Sequence, residues 1–519
     1  MKWLSVKEMR AADRATMALP GFSGMYLMNR AGLAVARVAE RMATQVGTRS
    51  ILCVAGKGNN GGDAFVAARL LHEAGFSVRV LMTASPEEYQ GDAAVAFSAL
   101  EKAGIPFSVH DRAEEWRGEW VALPSGIIVD GILGTGCDSA PRGVAAEAIR
   151  WVNSRRRTWR ILSIDIPSGM NGDTGTVAGE VVHADATITL ARPKGCFLNR
   201  EAWSHVGHLE VDRIGMPDSI ADSSPLDLPC ELIVADELAD CFPERPREAH
   251  KGNFGRIAIV GGSQPYPHAP VLAGIGALKS GAGLLTLVVP AESRMAAAVH
   301  IPEAMISERP TASCGSLSGN SLVEMNVSRF DALLVGPGLT RHVEAEQLLS
   351  DILHSFSGKL VIDADALALL GKWGSLPVET PERQERILTP HPGEAALLAG
   401  VSVDEIQGDR LGWVRKLADR YRSTVILKGA GSTICQPGGR PWINLTGNPG
   451  MACGGMGDLL AGMVTALWAG GLPALTAASA AVWAHGTAGD RVALKEGQTA
   501  LTATALSEEL GAAFLSITR

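Results

Sequence analysis

Short aliphatic runs that end in a glycine- or aspartate-rich loop and pass at once into a helix recur along this chain. That alternation constrains the fold more than any other feature. Ile51–Ala55 (ILCVA) reads as a buried strand, GKGNNGGD follows it, and a helix is expected from Ala64 to about Ala74. Ser77–Met82 then closes a βαβ unit, and Gly126–Asp130, Ile161–Asp165 and Ala186–Leu190 extend the series. Before them, Val6, Met9, Ala12, Met25, Met28, Ala31, Val35 and Val38 recur at three-to-four spacing, as in amphipathic helices packed on a sheet.

From Arg213 to His250 the alternation lapses into MPDSIADSSPLDLP and PERPREAHKGNFG, so a domain boundary is placed near residue 222. Strands resume at Arg256–Val260, Leu284–Val289, Ala332–Val335, Leu360–Asp363, Ile387–Thr389 and Val425–Lys428. A helix covers Val271–Ser280, and the chain after Gly454 is Ala-rich and helical. At 519 residues the chain is too long for one core. The expected fold is two tandem α/β domains, 1–221 and 222–519, each a mostly parallel sheet with helices on both faces. In open parallel sheets the ligand crevice lies at the carboxyl ends of the strands, so the loops there hold the candidate sites.

Composition narrows the function. A net charge of −8 without a basic run argues against nucleic acid as a partner. The eight cysteines form no CxxC pair, which fits a reducing compartment and offers nothing to zinc. The first residues carry charge throughout with no apolar signal core, and no run of about 18 uncharged apolar residues follows. A cytoplasmic protein without a membrane span is expected.

In the second half the most informative stretch is Asn444–Gly462, NLTGNPGMACGGMGDLLAG. Gly454, Gly455 and Gly457 introduce a helix marked by Leu459, Leu460, Met463, Val464 and Leu467. Glycines let backbone N–H groups approach a ligand, and the helix N-terminus favours an anion such as phosphate. Asp458 stands in that first turn. A carboxylate beside a phosphate-binding loop makes sense as a general base for a hydroxyl that attacks phosphorus; a plain helix cap is the other reading. No Walker A motif is present, since GIGALKS lacks its spacing. KGAGS, Lys428–Ser432, offers backbone amides and a lysine for a nucleotide, or else a surface turn.

In the first half, Gly56–Gly61 fits GxGxxG literally, but the second strand runs into Thr83-Ala84-Ser85 where a dinucleotide fold wants a ribose-binding acid. Asn59, Asn60 and Asp63 look like direct ligand groups; a tight turn closed by local side-chain hydrogen bonds is the alternative. The loops Asp130–Gly136 and Asp165–Gly169 also follow strands. Oxygens from Asn60, Asp130 and Ser168 suit a hard monovalent cation.

GNNGGD, the D-x-x-x-GTG loop, DIPSGMNGDTG and ADATITLARPKG, in that order over roughly residues 1–215, resemble the NAD(P)H-hydrate epimerase family (the YjeF N-terminal domain). The resemblance implies a Rossmann-like doubly wound sheet, a bound K+, and interconversion of the R and S hydrates of NADH and NADPH. It places substrate contacts on Asn59, Asn60, Gly61, Gly62 and Asp63, on Gly134, Thr135, Gly136, Cys137, Asp138, Ser139 and Ala140, and on Asp165. It places K+ on Asn60, Asp130 and Ser168. Asp165 is the candidate acid/base. Ala64 stands where the family usually has glycine.

Over roughly residues 230–519, His250-Lys251-Gly252, Gly336-Pro337-Gly338, Asp363-Ala364-Asp365, Thr389–Glu394, KGAGS and the GMGD turn resemble the ADP/ATP-dependent NAD(P)H-hydrate dehydratase family, a ribokinase-like branch. The resemblance implies Mg2+ and a nucleotide, ADP or ATP with ADP favoured, that phosphorylates the hydroxyl of the S hydrate. Phosphate then leaves where hydroxide could not. Lys428, Gly429, Ala430, Gly431, Ser432 and Gly457 would contact the nucleotide, and Ala269, Gly338, His391 and Asp458 the hydrate. Asp458 would act as base, the Gly455–Gly457 amides would hold the phosphoryl group, and Glu394 would reach Mg2+ through water. Two positions depart from the family pattern: Met456 replaces a small polar residue, and GPGLG reads GPGLT, ending in Thr340. His391, flanked by prolines, also reads as a structural histidine.

The apolar helices of both halves make a homo-oligomer plausible. Rival readings are a vitamin-type small-molecule kinase, an NAD-dependent oxidoreductase built on GKGNNG, and an N-terminal half reduced to a binding module. Intact Asp130, Asp165 and Ser168 disfavour the last.

Overall fold

A computed structural model describes residues 1–117, 125–223, 230–242, 245–318, 326–376, 381 and 383–518. The chain forms two compact units, Met1–Leu228 and Pro229–Arg519. Asp222, at the expected boundary, still belongs to the first unit. The nearly buried Arg192 guanidinium binds Asp218 at 2.6 Å and Asp222 at 3.4 Å, tying that segment down. The Ser/Pro-rich run that suggested the boundary falls partly on 224–229, outside the described residues.

The first unit is built on β1 (Ser50–Ala55), β2 (Ser77–Met82), β3 (Phe107–Val109), β4 (Gly126–Gly131), β5 (Trp159–Ile164), β6 (Ala186–Leu190) and β7 (His208–Asp212). Among the described residues they form one sheet in the order β3-β2-β1-β4-β5-β6-β7, parallel throughout. Strand order reverses between β1 and β4, and the crevice opens at that switch point. Every residue of Ile51–Ala55 and Gly126–Gly131 is buried, as parallel strands covered on both faces require. Two separate helices, Val6–Met17 and Gly24–Val46, account for the amphipathic N-terminal stretch.

The helix after β1 begins at Asn59, five residues before the sequence placed it. Gly61 and Gly62, which read as loop, lie inside its first turn because nothing larger fits. A β-carbon on Gly61 would lie 1.8 Å from the Gly56 carbonyl oxygen, and one on Gly62 would lie 2.5 Å from the Met28 methyl.

The second unit holds β8 (Glu231–Leu232), β9 (Arg256–Val260), β10 (Leu284–Val289), β11 (Met305–Glu308), β12 (Ala332–Val335), β13 (Lys359–Ile362), β14 (Glu385–Leu388), β15 (Thr424–Leu427), β16 (Ser432–Cys435) and β17 (Trp442–Asn444). Their order is β11-β10-β9-β12-β13-β14-β15-β16-β17-β8. β9 through β15 are parallel, and β16 turns back antiparallel on β15. Here the switch point lies between β9 and β12.

Four strands end one residue before the sequence placed their ends, leaving Asp165, Asp363, Thr389 and Lys428 just past β5, β13, β14 and β15. Released from the strand's alternation, their side chains point where the local turn sends them. Among the described residues no helix is long and apolar enough to cross a membrane.

The helix Met456–Ala469 is buried along almost its whole length and crosses the helix Ala269–Lys279 backbone to backbone. A β-carbon on Gly462 would lie 1.8 Å from the Ala273 carbonyl oxygen, and one on Gly276 would lie 2.1 Å from that of Leu459. The glycine-led turn at the start of this helix is thereby fixed to the unit's core.

Candidate active sites

In the first unit the loops after β1, β4 and β5 meet. Gly56 N donates to the Gly131 carbonyl at 2.9 Å, bringing the two central strand ends together. Asp130 is fully buried; its carboxylate accepts from Ser163 Oγ at 2.8 Å, Ser168 N at 3.0 Å and Ser168 Oγ at 2.5 Å. Ser168 Oγ also lies 3.0 Å from the Leu133 carbonyl oxygen, and Asn60 Nδ2 donates to that same carbonyl at 3.0 Å. The three residues expected to hold a cation therefore converge. Burial nonetheless pushes the Asp130 carboxyl above its ordinary range.

The loop Gly134–Ala140 is half-buried to exposed and covers this cluster; a β-carbon on Gly134 would touch the Asn60 amide at 3.4 Å. Asn59 is exposed, whereas Asn60 and Asp63 are buried. Ala64 is fully buried against β4, so its extra methyl faces the core and not the crevice.

Asp165 adopts a left-handed backbone (φ 67°), which a non-glycine residue takes only when its surroundings hold it there. Thr189 Oγ1 at 3.2 Å, Leu190 N at 3.1 Å and the Lys194 ammonium all donate to its Oδ1. Its Oδ2 has none of these partners and is available to a ligand. Lys194 is 1% exposed and is held further by the Leu190 carbonyl at 2.6 Å. Burial, with the Asp165 charge added, raises the Asp63 carboxyl well above its ordinary value and the Asp13 carboxyl to about 6.

The second site lines up along consecutive strand ends. Lys428 Nζ donates to Asp363 Oδ1 at 2.7 Å and lies 4.0 Å from Glu394; Thr389 Oγ1 also donates to Asp363 Oδ1, at 2.7 Å. A β-carbon on Gly457 would lie 3.2 Å from Lys428 Nζ, so the ammonium faces the first turn of Met456–Ala469. That helix begins at Gly455 in a left-handed conformation (φ 87°) with no side-chain cap hydrogen bond, and Asp458 stands in its first turn. Burial and the neighbouring Asp363 push the Asp458 carboxyl up to about 7. Burial likewise lifts Glu394 to about 7.

Met456 points its side chain into the core and leaves its backbone to the turn. Thr340 stands at φ 70°, where glycine would be unstrained; its amide donates to Asp365 Oδ2 at 2.9 Å and its hydroxyl pairs with Ser316. Gly338 (φ 66°) lies against Ala269, 3.1 Å from methyl to prospective β-carbon. His391 caps the helix Pro392–Ala399, with Nδ1 accepting from Gly393 N at 3.0 Å and Glu394 N at 3.2 Å. Its structural reading is thus realised, and Nε2 remains on the exposed side, 3.3 Å from Glu394.

KGAGS is the hairpin loop between β15 and β16. Arg410 clamps it through the carbonyls of Leu427 at 2.8 Å, Lys428 at 3.2 Å and Gly431 at 3.3 Å. Sequence reasoning gave no role to Lys194, Asp13, Asp363, Thr389 or Arg410. Lys194, Asp363 and Thr389 stood inside quoted motifs. Asp13 had a fainter signal, a carboxylate on the stripe Val6–Met9–Asp13–Thr16 whose other members are buried.

A carboxyl raised to about 7 at a glycine-led helix start, beside a Lys–Asp pair, is the kind of equipment that phosphoryl transfer needs; the other unit gathers its own cluster of buried carboxyls. Residues 24–196 match the family described as YjeF-related protein N-terminus, and residues 257–511 the family described as NAD(P)H-hydrate dehydratase. The chain is 36% identical over 507 residues to a bifunctional NAD(P)H-hydrate repair enzyme of Moorella thermoacetica, covering 97% of this chain and 94% of that one. It is 34% identical over 503 residues to the corresponding Escherichia coli enzyme, covering 97% and 92%. The chain belongs to the family of bifunctional NAD(P)H-hydrate repair enzymes. A solved ADP/ATP-dependent NAD(P)H-hydrate dehydratase from Bacillus subtilis, co-crystallised with ATP and Mg2+, is 28% identical with a TM-score of 0.50, covering 56% of this chain and 99% of that one.

Proposed function

We propose that the first unit (Met1–Leu228) epimerises the R and S hydrates of NADH and NADPH, and that the second (Pro229–Arg519) dehydrates the S hydrate at the expense of ADP, with ATP as the alternative donor. The observation that carries the second half is the placement of Asp458, which is half-buried, with its carboxyl pushed up to about 7, in the first turn of a glycine-led helix start. The Asp458 carboxylate takes the proton of the substrate hydroxyl as that oxygen attacks the terminal phosphorus of the nucleotide. The Gly455–Gly457 amides receive the negative charge of the phosphoryl group, and Lys428 stands ready to balance it. The C–O bond then breaks with the ring nitrogen's electron pair, phosphate departs, and loss of a ring proton restores NAD(P)H.

Lys428–Ser432 and Gly457 serve the nucleotide; Ala269, Gly338 and His391 frame the hydrate. Glu394 already accepts from His391 N at 2.8 Å, so Mg2+ arriving with the nucleotide would meet it through water.

In the first unit Asn59–Asp63, Gly134–Ala140 and Asp165 contact the hydrate, with Asp165 moving the proton. Asn60, Asp130, Ser168 and the Leu133 carbonyl gather hard oxygens around a buried carboxylate, a donor set that fits K+. Bound there, K+ would neutralise Asp130 and order the loops that meet at it.

Buried cysteines that form no disulfide, among them Cys53, Cys196 and Cys435, fit action in the reducing cytoplasm. Exposed Met295 and Val299, one turn apart on the helix Ala291–His300, support association into a homo-oligomer.

The test is recovery of reduced-nicotinamide absorbance from mixed R and S NADH hydrate with Mg2+, K+ and either ADP or ATP. Complete recovery supports both activities, and the faster nucleotide identifies the donor. Recovery that stops when the S epimer is spent removes the epimerase. No recovery with either nucleotide favours a small-molecule kinase.

A further inference from the structure

The helix Val6–Met17 packs on the first unit's core and also brings a carboxylate to the Asp165–Lys194 pair. Its start is tied to the segment that carries Lys194: Leu4 N donates to the Pro193 carbonyl at 3.0 Å, and Leu4 bridges Lys194 in parallel register. Val6 N donates to Asp173 Oδ1 at 2.7 Å, binding the helix to the loop that follows Asp165. A Ser5–Glu8 capping box fixes the helix's direction. Val6, Arg10 and Asp13, at i, i+4 and i+7, then share one face. Val6 packs at Gly172, Arg10 reaches within 3.9 Å of a prospective β-carbon on Gly136, and Asp13 comes next along that face. Lys194 and Asp165 are the charges that act most on Asp13, ahead of its own neighbour Arg14. Asp13 is half-buried, which leaves it access to a ligand, whereas Asp63 is 8% exposed.

Inverting a hydrated ring carbon makes a two-sided demand. The hydroxyl leaves as water after taking a proton from an acid, and the ring nitrogen's electron pair forms the C=N bond of a planar cation. Water then adds to the other face and gives up a proton to a base. One water is lost and one gained, one proton donated and one recovered, with no change of oxidation state. Two proton-handling groups, supplied from different elements, meet that demand.

We propose that Asp13 is the second acid–base residue of the epimerase site, serving the face of the ring opposite the one served by Asp165. The two carboxyls share the buried Lys194 ammonium as a common counter-charge. One donates and the other accepts, and they exchange roles when the opposite epimer binds. The proposal rests on the epimerase reading of this unit.

The test follows R-to-S conversion of NADH hydrate by the full-length protein in H2(18)O, over the uncatalysed rate, with dehydration of pure S hydrate measured alongside. The unaltered protein should epimerise with uptake of solvent oxygen at the hydrated carbon. Asp13→Asn should lower kcat for epimerisation by about 10²–10⁴-fold, the range of a lost acid–base group, with KM little changed. Asp13→Glu should recover at least a tenth of the activity. S-hydrate dehydration should be unaltered in both variants, and a thermal unfolding profile of the full chain that matches the unaltered protein's separates a chemical defect from misfolding of the first unit. Epimerisation by Asp13→Asn within threefold of the unaltered protein overturns the proposal alone. So does a rise in KM with kcat intact, or failure of glutamate to rescue a folded variant. Epimerisation without oxygen uptake overturns the two-faced route. No epimerisation by the unaltered protein overturns the reading of the unit together with the proposal.

Discussion

Lys428 Nζ and Asp363 Oδ1 lie 2.7 Å apart at the ends of β15 and β13, the two strands that flank β14, with the carboxylate 1% exposed and the ammonium facing the helix turn that carries Asp458. Removing one partner strands the other. Lys428→Met should destabilise the second unit by about 3–5 kcal/mol, the usual cost of an uncompensated buried charge. Adding Asp363→Asn should recover part of that loss while leaving dehydration abolished. Denaturant unfolding of the single and double variants checks this, and additive losses would show that the pair does not act as a unit.

Asp458 links stability to pH. Its carboxyl sits at about 7 in the folded protein, against 3.8 for the ordinary group, because burial and Asp363 disfavour the charge. Folding therefore takes up a proton between those values. The stabilisation is complete below about pH 4, is lost as pH rises towards 7, and changes no further above it. Asp458→Asn should flatten that slope and make the ligand-free second unit more stable at pH 8, by at most about 1.4 kcal/mol for every pH unit that separates the two values. Glu394, also raised to about 7, shares the Lys428 and Asp363 charges and keeps a residual slope. The same variant should lose on the order of 10²–10⁴-fold in dehydration. Melting curves from pH 4 to 8, set beside turnover of S hydrate, read both effects.

What the sequence made legible follows from locality. The two α/β units, the loops at strand carboxyl ends, and Asp458 in a first helix turn all depend on residues within a few positions of one another. The Asn60, Asp130 and Ser168 set was read from the oxygens of loops that follow strands and again from family resemblance, and the parallel register of β1, β4 and β5 brings the three together. Pairings such as Lys194 with Asp165 and Lys428 with Asp363, 29 and 65 residues apart, exist only once strand order is fixed. The early start of the helix at Asn59 was hidden because glycines read as breakers, whereas here they admit a close backbone approach. Asp13 was hidden because a lone acid in an amphipathic pattern looks like surface.

Thr340 carries strain in exchange for local bonds. A β-branched residue at φ 70° costs about 1–2 kcal/mol. Glycine would remove that strain, lose the Ser316 hydroxyl contact, and gain unfolded-chain entropy. Thr340→Gly should thus change stability by less than about 1 kcal/mol. Thr340→Val keeps the strain and leaves Ser316 without its partner, and should cost about 1–3 kcal/mol. A stabilising valine would show that the hydroxyl pair contributes nothing.

Gly462 tests whether the catalytic turn depends on helix packing. Its prospective β-carbon would sit 1.8 Å from the Ala273 carbonyl oxygen, and that obstacle is backbone, which cannot rotate aside. Gly462→Ala must therefore push the helix Met456–Ala469 away from Ala269–Lys279, at the upper end of the about 1–3 kcal/mol seen for overpacked cores or beyond it. Gly462 lies one turn along from Asp458, so the displacement reaches the carboxylate and the Gly455–Gly457 amides. Dehydration should fall at least about tenfold, since small misplacements of catalytic groups are costly. Epimerisation, carried by the other unit, should be unchanged. An alanine variant that melts normally and dehydrates normally would mean that the two helices separate without cost, and that the position of the anion-binding turn is set by its own loop and not by Ala273.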